Sequence, residues 1–141
     1  MSPITAMIID DEPYALERLQ QLLKTLEGVQ CLGAFQHIQQ AEDFVLQESI
    51  DLIFLDIEMP EKSGLEMADT FHQISPRSTI VFTTSHDHYA VKAIRKDAFD
   101  YLTKPIDIDE LKQCISRFTN EQKLDLSDRE IEIIRLMARG L

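Results

Sequence analysis

Short apolar runs of strand length alternate along this chain with stretches whose apolar residues recur at helical spacing. That alternation leaves few folds open. Ile4–Ile9 reads as a strand buried on both faces. Pro13 opens a helix lined by Leu16, Leu19, Leu22, Leu23 and Leu26, with Gly28 placed to end it. Val29–Phe35 reads as a second strand, weaker in pattern and nearer an edge. Residues 41–47 form a short helix and 51–55 a third strand. After a loop ending at Gly64, Leu65, Ala68, Phe71 and Ile74 line a third helix. A β-branched fourth strand spans 79–83, a short helix runs through 89–94, and a fifth strand spans 98–102. Asp107 with Glu110 makes a capping-box signature, and Ile108, Leu111, Ile115 and Phe118 give the helix it opens one apolar face. Such an order predicts an α/β fold, a parallel sheet covered by helices on both faces. Right-handed crossovers carry the ends of the first, third, fourth and fifth strands to one edge.

The residues that arrive at that edge are chemically unlike the runs they close. Asp10 and Asp11 follow Ala6-Met7-Ile8-Ile9, Asp56 follows Leu52-Ile53-Phe54-Leu55, and Lys104 with Pro105 comes just after Phe99-Asp100-Tyr101-Leu102. Each has a plain reading: acids before Pro13 suit a helix start, and Asp56 is a first polar residue after a strand. Those readings do not explain adjacent aspartates, a third aspartate and a lysine converging where open parallel sheets bind ligands. Clustered carboxylates repel one another, and a hard divalent cation relieves that repulsion. A lysine supplies a point charge suited to a phosphoryl group. The constellation therefore points to magnesium-assisted phosphoryl transfer to a carboxylate. Asp11 and Asp56 would ligate Mg2+ directly, Asp10 would act through water, and Asp56 would be the nucleophile. Thr84, at the end of the fourth strand, is placed to hydrogen-bond a phosphoryl oxygen.

Composition narrows the setting. With 141 residues, 44% hydrophobic and 28% charged, the chain is long enough to bury a core without disulfides or a structural metal. A formal net charge of -11 argues against nonspecific binding to nucleic acid or to an anionic membrane. Cys31 and Cys114 form no CxxC, lie in apolar patterns, and read as reduced, buried thiols of a cytoplasmic protein. No apolar run is long enough to span a membrane, and no basic region precedes the first strand as a signal peptide would require. His86 and His88 lack the further ligands a zinc site needs, and His37 and His72 read as surface residues.

Taken together, Ile-Ile-Asp-Asp-Glu-Pro at 8–13, Phe-Leu-Asp-Ile-Glu-Met-Pro at 54–60 with Gly64, Thr84, and Tyr-Leu-Thr-Lys-Pro at 101–105 resemble the receiver domain of bacterial two-component response regulators. The resemblance runs from about Ile4 to Phe118. It implies a flavodoxin-like, CheY-like fold, five parallel strands in the order 2-1-3-4-5. It implies Asp56 as phosphoacceptor, Asp10 and Asp11 as metal acids, Lys104 as phosphoryl clamp, and the Glu58 backbone carbonyl as a further Mg2+ ligand. It implies a cis Lys104-Pro105 peptide and a switch pair of Thr84 and Tyr101. It also implies a sensor histidine kinase as phosphodonor, homodimerisation on phosphorylation, and no catalysis beyond the chain's own phosphoryl transfer and dephosphorylation. Side chains at Glu58 and His86 would influence how fast water reaches the acyl phosphate.

The last residues differ in character. A receiver over 1–119 would be followed by a linker at 120–125 and a short amphipathic helix marked by Ile131, Ile134 and Met137, with Ser127 and Glu130 as its capping box. One helix cannot bury its own apolar face, so 126–141 reads as the opening of a further domain. Residues 126–140 resemble the first helix of a LuxR-type helix-turn-helix domain, so DNA binding would belong to the remainder of that domain. The stretch 88–94 is similar instead to receivers joined to LytTR-type DNA-binding domains; the tail carries more weight because it would itself be part of the output domain. Two other functions compete. A haloacid-dehalogenase-type phosphatase would need a DxD at the end of the first strand and a cap insertion, neither of which is present. A phosphorylation-independent interaction module would have no use for the full set of acids, threonine and lysine.

Overall fold

The computed structural model describes residues 2–85 and 99–122, apart from the side chain of Leu65. The helix expected through 89–94, His86, His88 and the tail at 126–141 lie outside the described residues. Within them the chain alternates as its pattern requires: β1 (Ile4–Ile9), α1 (Pro13–Lys24), β2 (Val29–Phe35), α2 (Ile38–Gln47), β3 (Leu52–Asp56), α3 (Gly64–Ile74), β4 (Thr79–Thr84) and β5 (Asp100–Thr103). These five strands pair in parallel throughout, and the sheet order is β2-β1-β3-β4-β5. This is the flavodoxin-like order expected. β1 and β3 sit innermost beside β4, so the residues that end them lie in the middle of the carboxyl edge.

Side-chain alternation along the strands divides the core. Met7, Ile9, Ile53, Leu55, Ile80 and Phe82 pack with Ile38, Ala41 and Val45 of α2 and with Met67, Ala68 and Phe71 of α3. The alternate residues Ala6, Ile8, Leu52, Phe54 and Val81 are buried on the opposite face, where Leu16, Leu19 and Leu23 are the buried stripe of α1. No helix among the described residues is long and apolar enough to cross a membrane.

Several boundaries differ from the expectation, each for a local reason. α1 ends at Lys24 because Thr25 turns its N–H and hydroxyl back onto Leu22, so Leu26 lies past the helix. Gly28, at φ +78°, serves the following turn, where its carbonyl accepts from the Ile4 N–H. α2 starts three residues earlier than 41, at the buried Ile38. β3 and β4 each run one residue further, so Asp56 and Thr84 are the last residues of strands. β5 begins at Asp100.

Residues 108–122 form a helix that belongs to a second compact unit. Leu111, Cys114 and Phe118 are its buried positions, with Ile115 only half-buried. Residues 120–122, which read as the start of a linker, are helical.

The amino edge of the sheet is closed by polar clamps. The Thr5 N–H and hydroxyl both donate to the Asp51 carboxylate, and the Asp51 N–H donates to the Thr5 hydroxyl. Ser78 donates to the Ile50 carbonyl.

Candidate functional site

β1, β3 and β5 deliver the expected residues to one place. Asp10 follows β1 directly and is held by its N–H to the Phe35 carbonyl, while its Oδ1 accepts from the Glu12 N–H at 2.9 Å. Asp56 ends β3; its Oδ1 accepts from the Glu58 N–H at 3.1 Å. Lys104 follows β5, its N–H bonded to the Thr84 carbonyl at 2.7 Å, and precedes Pro105 through a cis peptide. The Lys104 Nζ lies 2.7 Å from Asp10 Oδ2 and 3.4 Å from Asp56 Oδ2. Carboxylate oxygens of Asp10, Asp11 and Asp56 all fall within 4.8 Å of one another.

Asp10 and Asp56 are only 3% and 2% exposed, whereas Asp11 is open to solvent. Burial pushes the Asp56 carboxyl up to about 6; the Asp10 charge adds to the rise, and the Glu58 N–H and the Lys104 ammonium oppose it. Burial pulls Lys104 down, but its bond to Asp10 and the charges of Asp10 and Asp56 outweigh that and hold it above its ordinary value. Three carboxylates against one lysine leave the site net anionic. All donors are hard oxygens, two fixed by backbone N–H bonds and one solvent-facing, a set that fits Mg2+ retaining several waters.

The loop after β3 owes its path to Gly64. The Gly64 N–H bonds to the Ile57 carbonyl at 2.8 Å, and a Cβ there would lie 2.6 Å from the Asp56 carbonyl oxygen and 2.7 Å from Ile57 Cα. Only a residue without a side chain lets α3 start this close to Asp56. Ser63 caps α3 through the Glu66 N–H.

Thr84 is buried at the end of β4, and its hydroxyl donates to Glu58 Oε1 at 3.0 Å. Tyr101 is half-buried on β5, opposite Phe82, against the α2–α3 side of the core. Asp10, Asp11, Asp56 and Lys104 thus meet, and Thr84 joins them through Glu58. Sequence reasoning did not find Ser85, which also donates to the Glu58 carboxylate, or Arg18, whose guanidinium donates to the Ile106 carbonyl just past Pro105. No spacing signal marks either one. A cavity of about 270 Å3 opens beside Lys104, lined by Tyr14, Arg18 and Pro105 among others. His37 and His72 are surface residues, as expected.

Residues 6–116 match the response regulator receiver domain family model. The chain is 40% identical over 125 residues to the transcriptional regulatory protein BtsR of Salmonella typhimurium, covering 88% of this chain and 52% of that protein. It is 33% identical over 115 residues to the sensory transduction protein LytR of Staphylococcus haemolyticus, covering 82% and 45%. It therefore spans about half the length of the curated relatives it matches. Among solved structures, a response regulator receiver domain protein from Clostridium thermocellum superposes with a TM-score of 0.72 at 29% identity, covering 86% of this chain and 98% of that one. The response regulatory domain of mrkE from Klebsiella pneumoniae gives 0.73 at 28%, covering 86% and 99%.

Proposed function

Because this chain belongs to the response regulator receiver domain family, we propose that it is the phosphorylatable switch of a two-component regulator, with Asp56 as the phosphoacceptor. The observation that carries the reading is the placement of Asp56: a buried carboxylate on a central strand end, 3.4 Å from Lys104 Nζ and clustered with two more aspartates.

The donor is a phosphohistidine of a sensor kinase. An Asp56 oxygen bonds to phosphorus as the donor's P–N bond breaks; the electron pair stays on the imidazole nitrogen, which takes up a proton. Lys104 holds a phosphoryl oxygen as a point charge, and Thr84 donates its hydroxyl to another. Asp10, Asp11, Asp56 and the Glu58 backbone carbonyl are the groups that would hold magnesium. When bound, the ion offsets the negative charge of carboxylates and phosphoryl oxygens.

Thr84 and Tyr101 carry the change outward, and the phosphorylated form pairs with a second copy of itself. The output is transcriptional and cytoplasmic. Its support is the relatives named as transcriptional regulatory proteins and the LuxR-like helix pattern at 126–140. DNA contact then lies outside this acidic domain.

Intact mass after treatment with acetyl phosphate and magnesium tests the assignment. The wild type should gain one phosphoryl group and Asp56→Asn none. Asp11→Asn should require more magnesium for the same gain. Equal uptake by Asp56→Asn would sink the reading.

A further inference from the structure

Glu58 lies two residues past Asp56, yet its carboxylate is engaged at the end of β4. Its Oε1 accepts from the Thr84 hydroxyl at 3.0 Å, from the Ser85 N–H at 3.3 Å and from the Ser85 hydroxyl at 3.3 Å; Oε2 lies 3.4 Å from the same Ser85 hydroxyl. The Glu58 backbone is fixed from the other side, by its N–H on Asp56 Oδ1 and by its bridge to Ser63. One carboxylate thus gathers two hydroxyls and a main-chain N–H beside the acid that is to be phosphorylated. Those are the donors a phosphoryl oxygen seeks.

We propose that Glu58 is an internal stand-in for the phosphoryl group: its carboxylate occupies Thr84 until the phosphoryl group on Asp56 takes that hydroxyl away. The proposal rests on Asp56 being the phosphoacceptor. Its physical basis is a count of protons. Thr84 has a single O–H to donate, so a full bond to Glu58 and a full bond to a phosphoryl oxygen exclude one another. A phosphoryl group carries roughly -1.5 to -2 charges, more than a carboxylate, so it prevails, but only by the difference between the two. Ser85 keeps its two bonds to Glu58 after Thr84 leaves, so the released carboxylate is not stranded. Glu58 is therefore a positioning residue that opposes phosphorylation through Thr84. A carboxylate that merely repelled the incoming phosphodonor would act without Thr84.

A double-mutant cycle separates the two. Rate constants for phosphorylation of Asp56 by acetyl phosphate in excess magnesium are measured for wild type, Glu58→Ala, Thr84→Val and the pair. Glu58→Ala should raise the rate on the order of tenfold in the wild-type background, and within about twofold not at all beside Thr84→Val. Equal acceleration in both backgrounds, or none in either, overturns the proposal while leaving Asp56 as phosphoacceptor. Absence of uptake that depends on Asp56 in the wild type removes the phosphoacceptor reading and the proposal with it. The Thr84 methyl signal in NMR gives a readout independent of turnover. In unphosphorylated Glu58→Ala it should move from its wild-type position, and in the wild type it should move on phosphorylation. A Thr84 signal that Glu58→Ala leaves in place also overturns the proposal.

Discussion

Folding makes Asp56 a reluctant acid, and the sign of that effect can be read in stability. Its carboxyl rises from 3.8 to about 6 in the folded chain. Between those values the folded state binds more protons than the unfolded state, so this group's contribution to stability falls as pH rises through the window and stays low above it. In EDTA, Asp56→Asn should therefore raise the unfolding free energy at pH 7.5 by roughly 1–3 kcal/mol. The gain should shrink towards pH 4, where Asp56 is protonated in the folded state and partly so in the unfolded one. Urea melts of both chains across that range check it, and a loss of stability at pH 7.5 would contradict it. Asp10, Asp56 and Lys104 could be picked out in the sequence because each ends or follows an apolar run, and the topology does the rest. The hold of Glu58 on Thr84 and Ser85 could not, because it depends on the register that sets Asp56 beside Thr83.

The elements were legible where periodicity was strong and obscure where capping decided. α3 carries a capping signature in Ser63 and Glu66 that periodicity alone passed over, and the Ser63 hydroxyl accepts the Glu66 N–H at 3.3 Å. α2 begins at Ile38 with no side-chain cap, so neither its start nor its polar first turn announces a helix. In helix 108–122 Cys114 is buried, as its place in a helical apolar pattern predicts, while Ile115, which spacing also puts on the apolar face, is only half-buried. The junction of β3 and α3 makes the sharpest demand on sequence. Gly64→Ala would press a methyl into the backbone at Asp56 and Ile57, neither of which is a flexible side-chain end. A cost of about 1–3 kcal/mol in urea unfolding is expected, together with slower phosphoryl uptake because the Asp56 backbone must shift. Unchanged stability would mean that the loop relaxes without strain.

At the scale of the whole molecule, the alternation of elements with right-handed crossovers predicts a parallel sheet with its strand ends at one edge, whereas the strand order is implied by the resemblance to receiver domains. The chemistry then concentrates at one edge, where three carboxylates face a single lysine. A cation that binds only the assembled site stabilises the entire fold by mass action. Magnesium at about ten to a hundred times its dissociation constant should add roughly 1–3 kcal/mol, seen as a rise in melting temperature that EDTA reverses. Asp11→Asn should lose most of that rise while keeping its fold, because Asp11 is exposed. The opposite edge is tied by Thr5, Asp51 and Ser78 into a polar seam remote from these charges. That polarity suits the chain to carry paired dyes. Tyr14, 83% exposed beside the lysine cavity, offers an attachment point next to the proposed phosphoryl site, and Leu46, 66% exposed in the last turn of α2, offers a reference away from it. Cys31 and Cys114 are half-buried and buried, so cysteines installed at positions 14 and 46 would take most of the label. If Asp56 is the phosphoacceptor proposed above, a ratiometric reporter of its phosphorylation is latent in the unequal ends of one sheet.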